Sequence, residues 1–182
     1  MIIGITGTDG AGKGTVVDFL VEKKGFVHCS ARTLWIDEIQ KRGLEVKREN
    51  TRIVANDLRA KYGKDFLITE YQRRTGFEPS KNYIIDSVRT IAEVETLKKH
   101  GGVLWSVDAD QHLRYERIQS RTSGLDKVSF EEFTKQEALE MNDPDPNGMQ
   151  KEKVMNMADK IFNNDGTQEE LFAQVENALK QQ

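Results

Sequence analysis

Several things are scarce in this chain of 182 residues, and each scarcity removes a class of function. Cys29 is the single cysteine, which excludes an intrachain disulfide and a multi-cysteine zinc site and suits a reducing compartment. His28, His100 and His112 have no metal-ligand spacing among themselves or with Cys29, and no nucleophile–base constellation is evident. No apolar run approaches the roughly 18–20 residues that span a bilayer. The N-terminus has no basic stretch ahead of an apolar one, so no signal peptide is read there. A soluble, cytoplasmic protein without a membrane partner is expected. Basic residues are not in excess either: 27 Lys and Arg stand against 30 Asp and Glu, a formal charge of −3. That balance argues against a broad nucleic-acid-binding face, so basic groups must act locally.

What is present is a regular alternation. The length and the 37% hydrophobic content suit one core and are short for two, so a single domain over residues 1–182 with small inserted lobes is expected. Short apolar runs alternate with segments of helical period, the pattern of a parallel sheet covered by helices in an α/β fold. The runs are Ile2 to Thr6, Phe26 to Cys29, Tyr83 to Asp86, Val103 to Val107 and, more weakly, Lys160 to Asn163. After the first run, Val16, Val17, Phe19, Leu20 and Val21 form the apolar face of a helix that Gly25 stops. About 50 residues separate the second and third runs, too many for an ordinary crossover. They hold helical patches at Leu34 to Lys41, Thr51 to Tyr62 and Phe66 to Arg74, which makes an inserted helical lobe of about 31–80. Ser129 with Glu132, and Thr167 with Glu170, have capping-box spacing. The turn cluster Asp143 to Gly148 reads as a mobile linker.

The run Gly7-Thr8-Asp9-Gly10-Ala11-Gly12-Lys13-Gly14-Thr15 has the spacing of a Walker A loop. Its glycines let backbone N–H groups close on phosphate oxygens, and Lys13 supplies the counter-charge at a helix N-terminus. A β-branched strand precedes it and an amphipathic helix follows, which is the required context. Gly14 stands where the general pattern has the Ser or Thr that holds Mg²⁺, and Thr15 comes one place later. This Gly-Lys-Gly-Thr form resembles the adenylate-kinase branch of the P-loop nucleoside monophosphate kinases. Asp9 to Lys13 is also similar to thymidylate kinases, with no further match to them.

Ile85-Asp86-Ser87-Val88-Arg89-Thr90 resembles the Asp-Gly-Phe-Pro-Arg-Thr signature of adenylate kinases, shortened by one residue. The resemblance implies that Asp86 organises Mg²⁺ and its waters and that Arg89 grips an acceptor phosphate. Read alone, Asp86 serves equally as an N-cap and Arg89 as a first-turn solvent residue. Arg117 and Arg121 are four apart, hence on one helical face, with Arg114 as a third. The segment resembles the helix leading into the lid of P-loop kinases, whose arginine pair closes over the transferring phosphoryl; spacing alone would equally allow a solvated face with Glu116. The stretch from Ala158 to Thr167 is similar to the C-terminal segment of dephospho-CoA kinases, where this loop lies against adenine. That implies nucleotide contact near Asp165 and Gly166, although an Asn/Asp/Gly turn needs no ligand. Arg32 is a candidate acceptor contact displaced from the family pattern. Arg48, Arg52 and Arg59 lie in the inserted lobe, where Arg52 and Arg59 share a face of the kind that is usually a solvated stripe. Cys29 reads as a core residue.

The resemblance therefore implies a three-layer P-loop NTPase fold with a five-stranded parallel sheet in the order 2-3-1-4-5. Its core would be 1–30, 81–121 and 151–182, with an acceptor-binding lobe of about 31–80 and a short lid of about 122–150. The implied reaction is transfer of the ATP γ-phosphoryl to a nucleoside or deoxynucleoside monophosphate, with ATP and Mg²⁺ as cofactors. The assigned roles are Lys13, Asp86, Arg117 and Arg121 in catalysis and Asp9, Gly10, Ala11, Gly12, Lys13, Gly14, Thr15, Asp165 and Gly166 at the nucleotide. Arg32 and Arg89 would hold the acceptor, and Thr15 and Asp86 the metal. Partners would be nucleotides, not nucleic acid or membrane, in a monomer or homodimer. Dephospho-CoA kinases carry an Asp-containing motif after the second strand, where this chain has His28 to Arg32 with no carboxylate and with an arginine; that favours a monophosphate acceptor and leaves transfer to a hydroxyl as the alternative. A slow P-loop ATPase switch is the other, though no guanine-reading Asn-Lys-x-Asp sequence is present.

Overall fold

The computed structural model describes residues 1–120 and 128–181. The elements are β1 Ile2–Gly7, α1 Lys13–Lys24, β2 Val27–Cys29, α2 Ala31–Lys41, α3 Arg48–Tyr62, α4 Phe66–Thr75 and β3 Tyr83–Ile85. They continue with α5 Ile91–Lys99, β4 Val103–Asp108, α6 Gln111–Gln119, α7 Phe130–Met141, α8 Lys151–Asn156, β5 Lys160–Asn163 and α9 Gln168–Leu179. The strands form one sheet in the order β2-β3-β1-β4-β5, with every pairing parallel, as the resemblance implies.

Successive strand residues face opposite sides of the sheet, so each strand feeds two cores. From β1, Ile2 joins Leu34, Trp35, Leu67, Ile85, Leu97 and Val154 on the side covered by α2–α5 and α8. Ile3 and Ile5 face Val16, Leu20, Trp105, Phe162, Leu171 and Val175 under α1 and α9. Gly25 ends α1 at φ 71°, donating its N–H to Val21 O at 3.2 Å while Phe26 donates to Leu20 O at 3.1 Å, a left-handed stop that glycine adopts without strain.

Four expectations need correction. Asp86 lies one residue beyond β3: its N–H still bonds Cys29 O of β2 at 3.1 Å, but the chain turns away through Ser87 at φ 61°. The turn 143–148 is fastened rather than loose. Asp143 accepts from Asp145 N at 3.0 Å and Asp145 from Asn147 N at 2.8 Å, while Arg52 and Asn56 of α3 reach these two carboxylates at 3.3 and 2.8 Å. Arg59 is no solvated residue; it is 3% exposed and pairs at 3.3 Å with fully buried Glu93 of α5, because a buried carboxylate needs a cation beside it. Ser129 caps α7 through Glu132 N alone, whereas Thr167 and, unforeseen, Thr90 make complete capping boxes. Of the expected lid, residues 121–127 lie outside the described residues. α7 packs back on α6 through Tyr115, Phe130 and Phe133.

Candidate active site

The phosphate loop runs from the end of β1 to the first turn of α1. Gly7 sits at φ 129°, and a Cβ there would run into the Val107 carbonyl of the neighbouring strand. Gly10, at φ 82°, would bring a Cβ to 2.5 Å from Arg114 O. Both positions require glycine for the loop to lie flat on β4 and α6. Gly14 differs: a Cβ would meet nothing within 4 Å, so the protein itself does not demand glycine there.

The loop is braced by side chains from other segments. Thr8 Oγ1 donates to Asp108 Oδ1 at 2.5 Å, and Asn164 Nδ2 donates to Ala11 O at 2.8 Å. Arg114, expected beside the other arginines, is buried beneath the loop. It donates to Ala109 O at 2.8 Å and Asp9 O at 3.2 Å and forks onto Glu137 of α7. One helical face thus divides by depth, because the i−3 position points at the loop's underside.

Lys13 opens α1 and bends back to Gly7 O at 3.0 Å and Thr8 O at 2.7 Å, 3.5 Å from Asp9. Burial draws its pKa down to about 7; Arg89 and Lys151 add to this, while Asp9 and Glu140 oppose it. Arg89 reaches the same place. Its Nη1 is 3.5 Å from Gly7 O and its Nη2 4.0 Å from Asp9. The backbone that aims it is held on both sides, since Glu93 Oε2 accepts its N–H at 2.6 Å and its carbonyl accepts from Gln150 N at 2.9 Å.

Beside the loop, toward β5 and α9, a cavity of about 310 Å³ is lined by Gly10, Gly12, Thr15, Arg117, Asn164, Gly166, Gln168 and Leu171. Arg117 Nη2 donates to Asn164 O at 2.9 Å, and its buried Nη1 has no hydrogen-bond partner among the described residues. Asp165 turns elsewhere, accepting Asp110 N at 2.7 Å and pinning the loop before α9 to that before α6. Arg121 lies outside the described residues. Arg32 is exposed on the first turn of α2 and is not brought into the cluster at Asp9.

Asp86 faces β2 and α2. Its Oδ1 accepts Ala31 N at 2.7 Å, and Oδ2 lies 2.8 Å from His28 Nε2, a hydrogen bond that raises the His28 pKa. Burial pushes the Cys29 thiol up to about 12, which makes it inert core. Among the described residues no group of three or more His, Cys, Asp or Glu gathers around a metal position. A Mg²⁺ ion that keeps its waters and takes oxygens from bound phosphates does not need such a cluster. Thr15 lines the cavity and the Asp86 carboxylate is held on Ala31 and His28, and no hydrogen bond among the described residues joins the two.

Sequence reasoning missed Lys151 and Glu137. A lysine opening a six-residue helix carries no periodic signal, and Glu137 is 23 positions from the arginine it pairs with. Nothing local marks either.

The family model AAA_18, described as an AAA domain, matches residues 3–140. A UPF0200 protein of Thermococcus gammatolerans is 30% identical over 186 residues, covering 99% of this chain and 94% of the relative. Another, of Thermococcus onnurineus, is also 30% identical and covers 99% and 97%. The chain belongs to the AAA_18 and UPF0200 families. Among solved structures, TT1252 from Thermus thermophilus superposes with a TM-score of 0.67 at 19% identity, over 100% of this chain and 97% of that one. Shikimate kinase from Bacteroides thetaiotaomicron gives 0.65 at 13% identity, over 99% and 97%. At these identities the likeness concerns the fold, and it gives this UPF0200 chain a kinase-like P-loop NTPase fold from end to end. No helix among the described residues of this UPF0200 chain is long and apolar enough to cross a membrane.

Proposed function

We propose that this protein transfers the γ-phosphoryl group of ATP to a nucleoside or deoxynucleoside monophosphate. The observation that carries the reading is the arrival of Arg89 at the mouth of the phosphate loop. Its side chain is 11% exposed, comes from the loop between β3 and α5 and faces the same Asp9 carboxylate as Lys13. Two cations thus converge from the donor and acceptor sides on one anionic position. An acceptor with its own negative charge suits that arrangement.

In this reading the amides of Gly10, Gly12 and Gly14 cradle the polyphosphate, with Asp9 and Ala11 completing the loop, and Lys13 bridges the β- and γ-phosphates. The donor base lies in the cavity beside Arg117 and Gly166, with Asp165 fixing that loop. Arg89 orients the acceptor phosphate, assisted by Arg32 from the lobe of about 31–80. Arg117 and Arg121 neutralise charge that develops during transfer, and the segment of about 122–150 serves as the lid. Bound Mg²⁺ would neutralise β- and γ-oxygens, held by Thr15 and, through water, Asp86. A monophosphate oxygen is already ionised, so the residues need only align it and stabilise charge; no general base is required.

A second reading rests on the His28–Asp86 contact. A hydroxyl acceptor must lose a proton, and an imidazole whose Nε2 is held by a carboxylate can take it on Nδ1. A coupled ADP-release assay over the common ribo- and deoxyribonucleoside monophosphates and dephospho-CoA separates the readings. Stimulation by one monophosphate is expected. Stimulation by dephospho-CoA alone, abolished in His28→Gln, would establish the hydroxyl acceptor. ATP turnover indifferent to every acceptor would leave only an ATPase switch.

A further inference from the structure

Lys151 has no role in that scheme, yet it is a fully buried ammonium in contact with the phosphate loop. Its Nζ lies 2.7 Å from Glu140 Oε2 and 3.3 Å from Asp9 Oδ1. Glu140 alone would neutralise it, as a buried cation requires. The second contact instead points it at the loop.

Asp9 Oδ1 is where the geometry converges. That one oxygen has Lys151 at 3.3 Å, Lys13 at 3.5 Å and Arg89 at 4.0 Å. Among the described residues, these three cations around one carboxylate oxygen create the field that a phosphoryl oxygen would experience there. The arrangement is also built to persist. Gln150, adjacent to Lys151, clips α8 to the Arg89 carbonyl at 2.9 Å, and Val154 of α8 is fully buried in the core. Lys151 and Arg89 are therefore held as a pair.

We propose that Lys151 is a third phosphate-contacting cation that touches the terminal phosphoryl group of a bound nucleoside triphosphate, and that Asp9 Oδ1 keeps that place until the triphosphate arrives. The proposal rests on the phosphotransferase reading and adds a residue to it. A triphosphate oxygen replaces the Asp9 carboxylate between the three cations, while Glu140 keeps the Lys151 ammonium in place. A diphosphate ends too early to make the contact.

The test is calorimetric titration of ATP and ADP, each with Mg²⁺, into the unaltered protein and the Lys151→Met/Glu140→Gln variant, which removes both charges of the buried pair together. A thermal melt of each checks folding. The unaltered protein should prefer ATP, and the double variant should lose about tenfold or more in ATP affinity with ADP affinity kept within about twofold. Lys151→Arg should retain part of the preference. Equal affinities in the unaltered protein, or equal losses for both nucleotides in the folded variant, would overturn the proposal. Asp9→Asn gives an independent reading if the double variant does not fold: ATP should bind more tightly relative to ADP, and a weaker relative affinity would count against the idea. An ATP preference governed by Lys151 in a protein that no acceptor stimulates would sink the acceptor assignment and leave this one standing.

Discussion

The phosphate loop presents contiguous backbone amides and one lysine, residues 7–15, whereas the wall that meets it through Arg89 and Lys151 is held together by Arg59, Glu93 and Gln150 from separated segments. The loop is specified by where a Cβ cannot go. The facing wall is specified by which charge meets which. Substitutions should therefore damage the loop sterically and the wall electrostatically.

The largest effect is expected at Lys13. Lys13→Met should lower turnover on the order of 10²–10³ or more in a coupled assay, with the melting temperature unchanged or raised because a buried ammonium is gone. Full turnover would mean that the loop does not bind the reacting phosphate. Next is the wall: Arg59→Met strands the Glu93 carboxylate, which is fully buried, and should cost about 3–5 kcal/mol in urea unfolding. Glu93 also holds the Arg89 backbone, so the acceptor KM should rise as well. A loss under about 1 kcal/mol would show that the wall does not depend on its charges.

Two glycines sharpen the contrast within the loop. Gly10→Ala forces a Cβ against Arg114 O at φ 82° and should cost about 2–3 kcal/mol. Gly14→Ala has open space and helical surroundings, so unfolding should show no loss and a gain of up to about 1 kcal/mol. The last effect is protonic. With a folded pKa near 7 against 10.5 unfolded, Lys13 is charged in both states below pH 7 and bears its full burial penalty there. Between about pH 7 and 10.5 the unfolded chain binds more protons, so this residue's contribution to stability rises with pH. Denaturation from pH 6 to 9 should show that rise, and Lys13→Met should lack it. Triphosphate binding favours the ammonium, so titrations in buffers of different ionisation enthalpy should show proton uptake at pH 8 and none at pH 6.

The contrast between loop and wall also explains what could be read in advance. The five strands and the loop were legible because each depends on local period or on glycine spacing within a few residues. Arg52 and Arg59 look alike in sequence, a heptad apart, yet one is half-exposed and the other buried on Glu93; only the position of α5 separates them. The cluster Asp143 to Gly148 has the composition of any polar turn, and its docking depends on Arg52 and Asn56, about 90 positions earlier. Asp86 and Arg89 came from a motif, but the turn to His28 and Ala31 on one side and to Asp9 on the other is tertiary.

The separation of 142 positions between Asp9 and Lys151 has a consequence for synthesis. A nascent chain exposes β1, the loop and α1 early, while the helix bearing Lys151 leaves the ribosome only after most of the polypeptide has emerged. Contacts so far apart form late, because the intervening loop must first be closed. On the proposed reading, a triphosphate would stabilise the chain only once Lys151 has docked, so the nucleotide would act as a ligand that favours the completed fold over its first fragment.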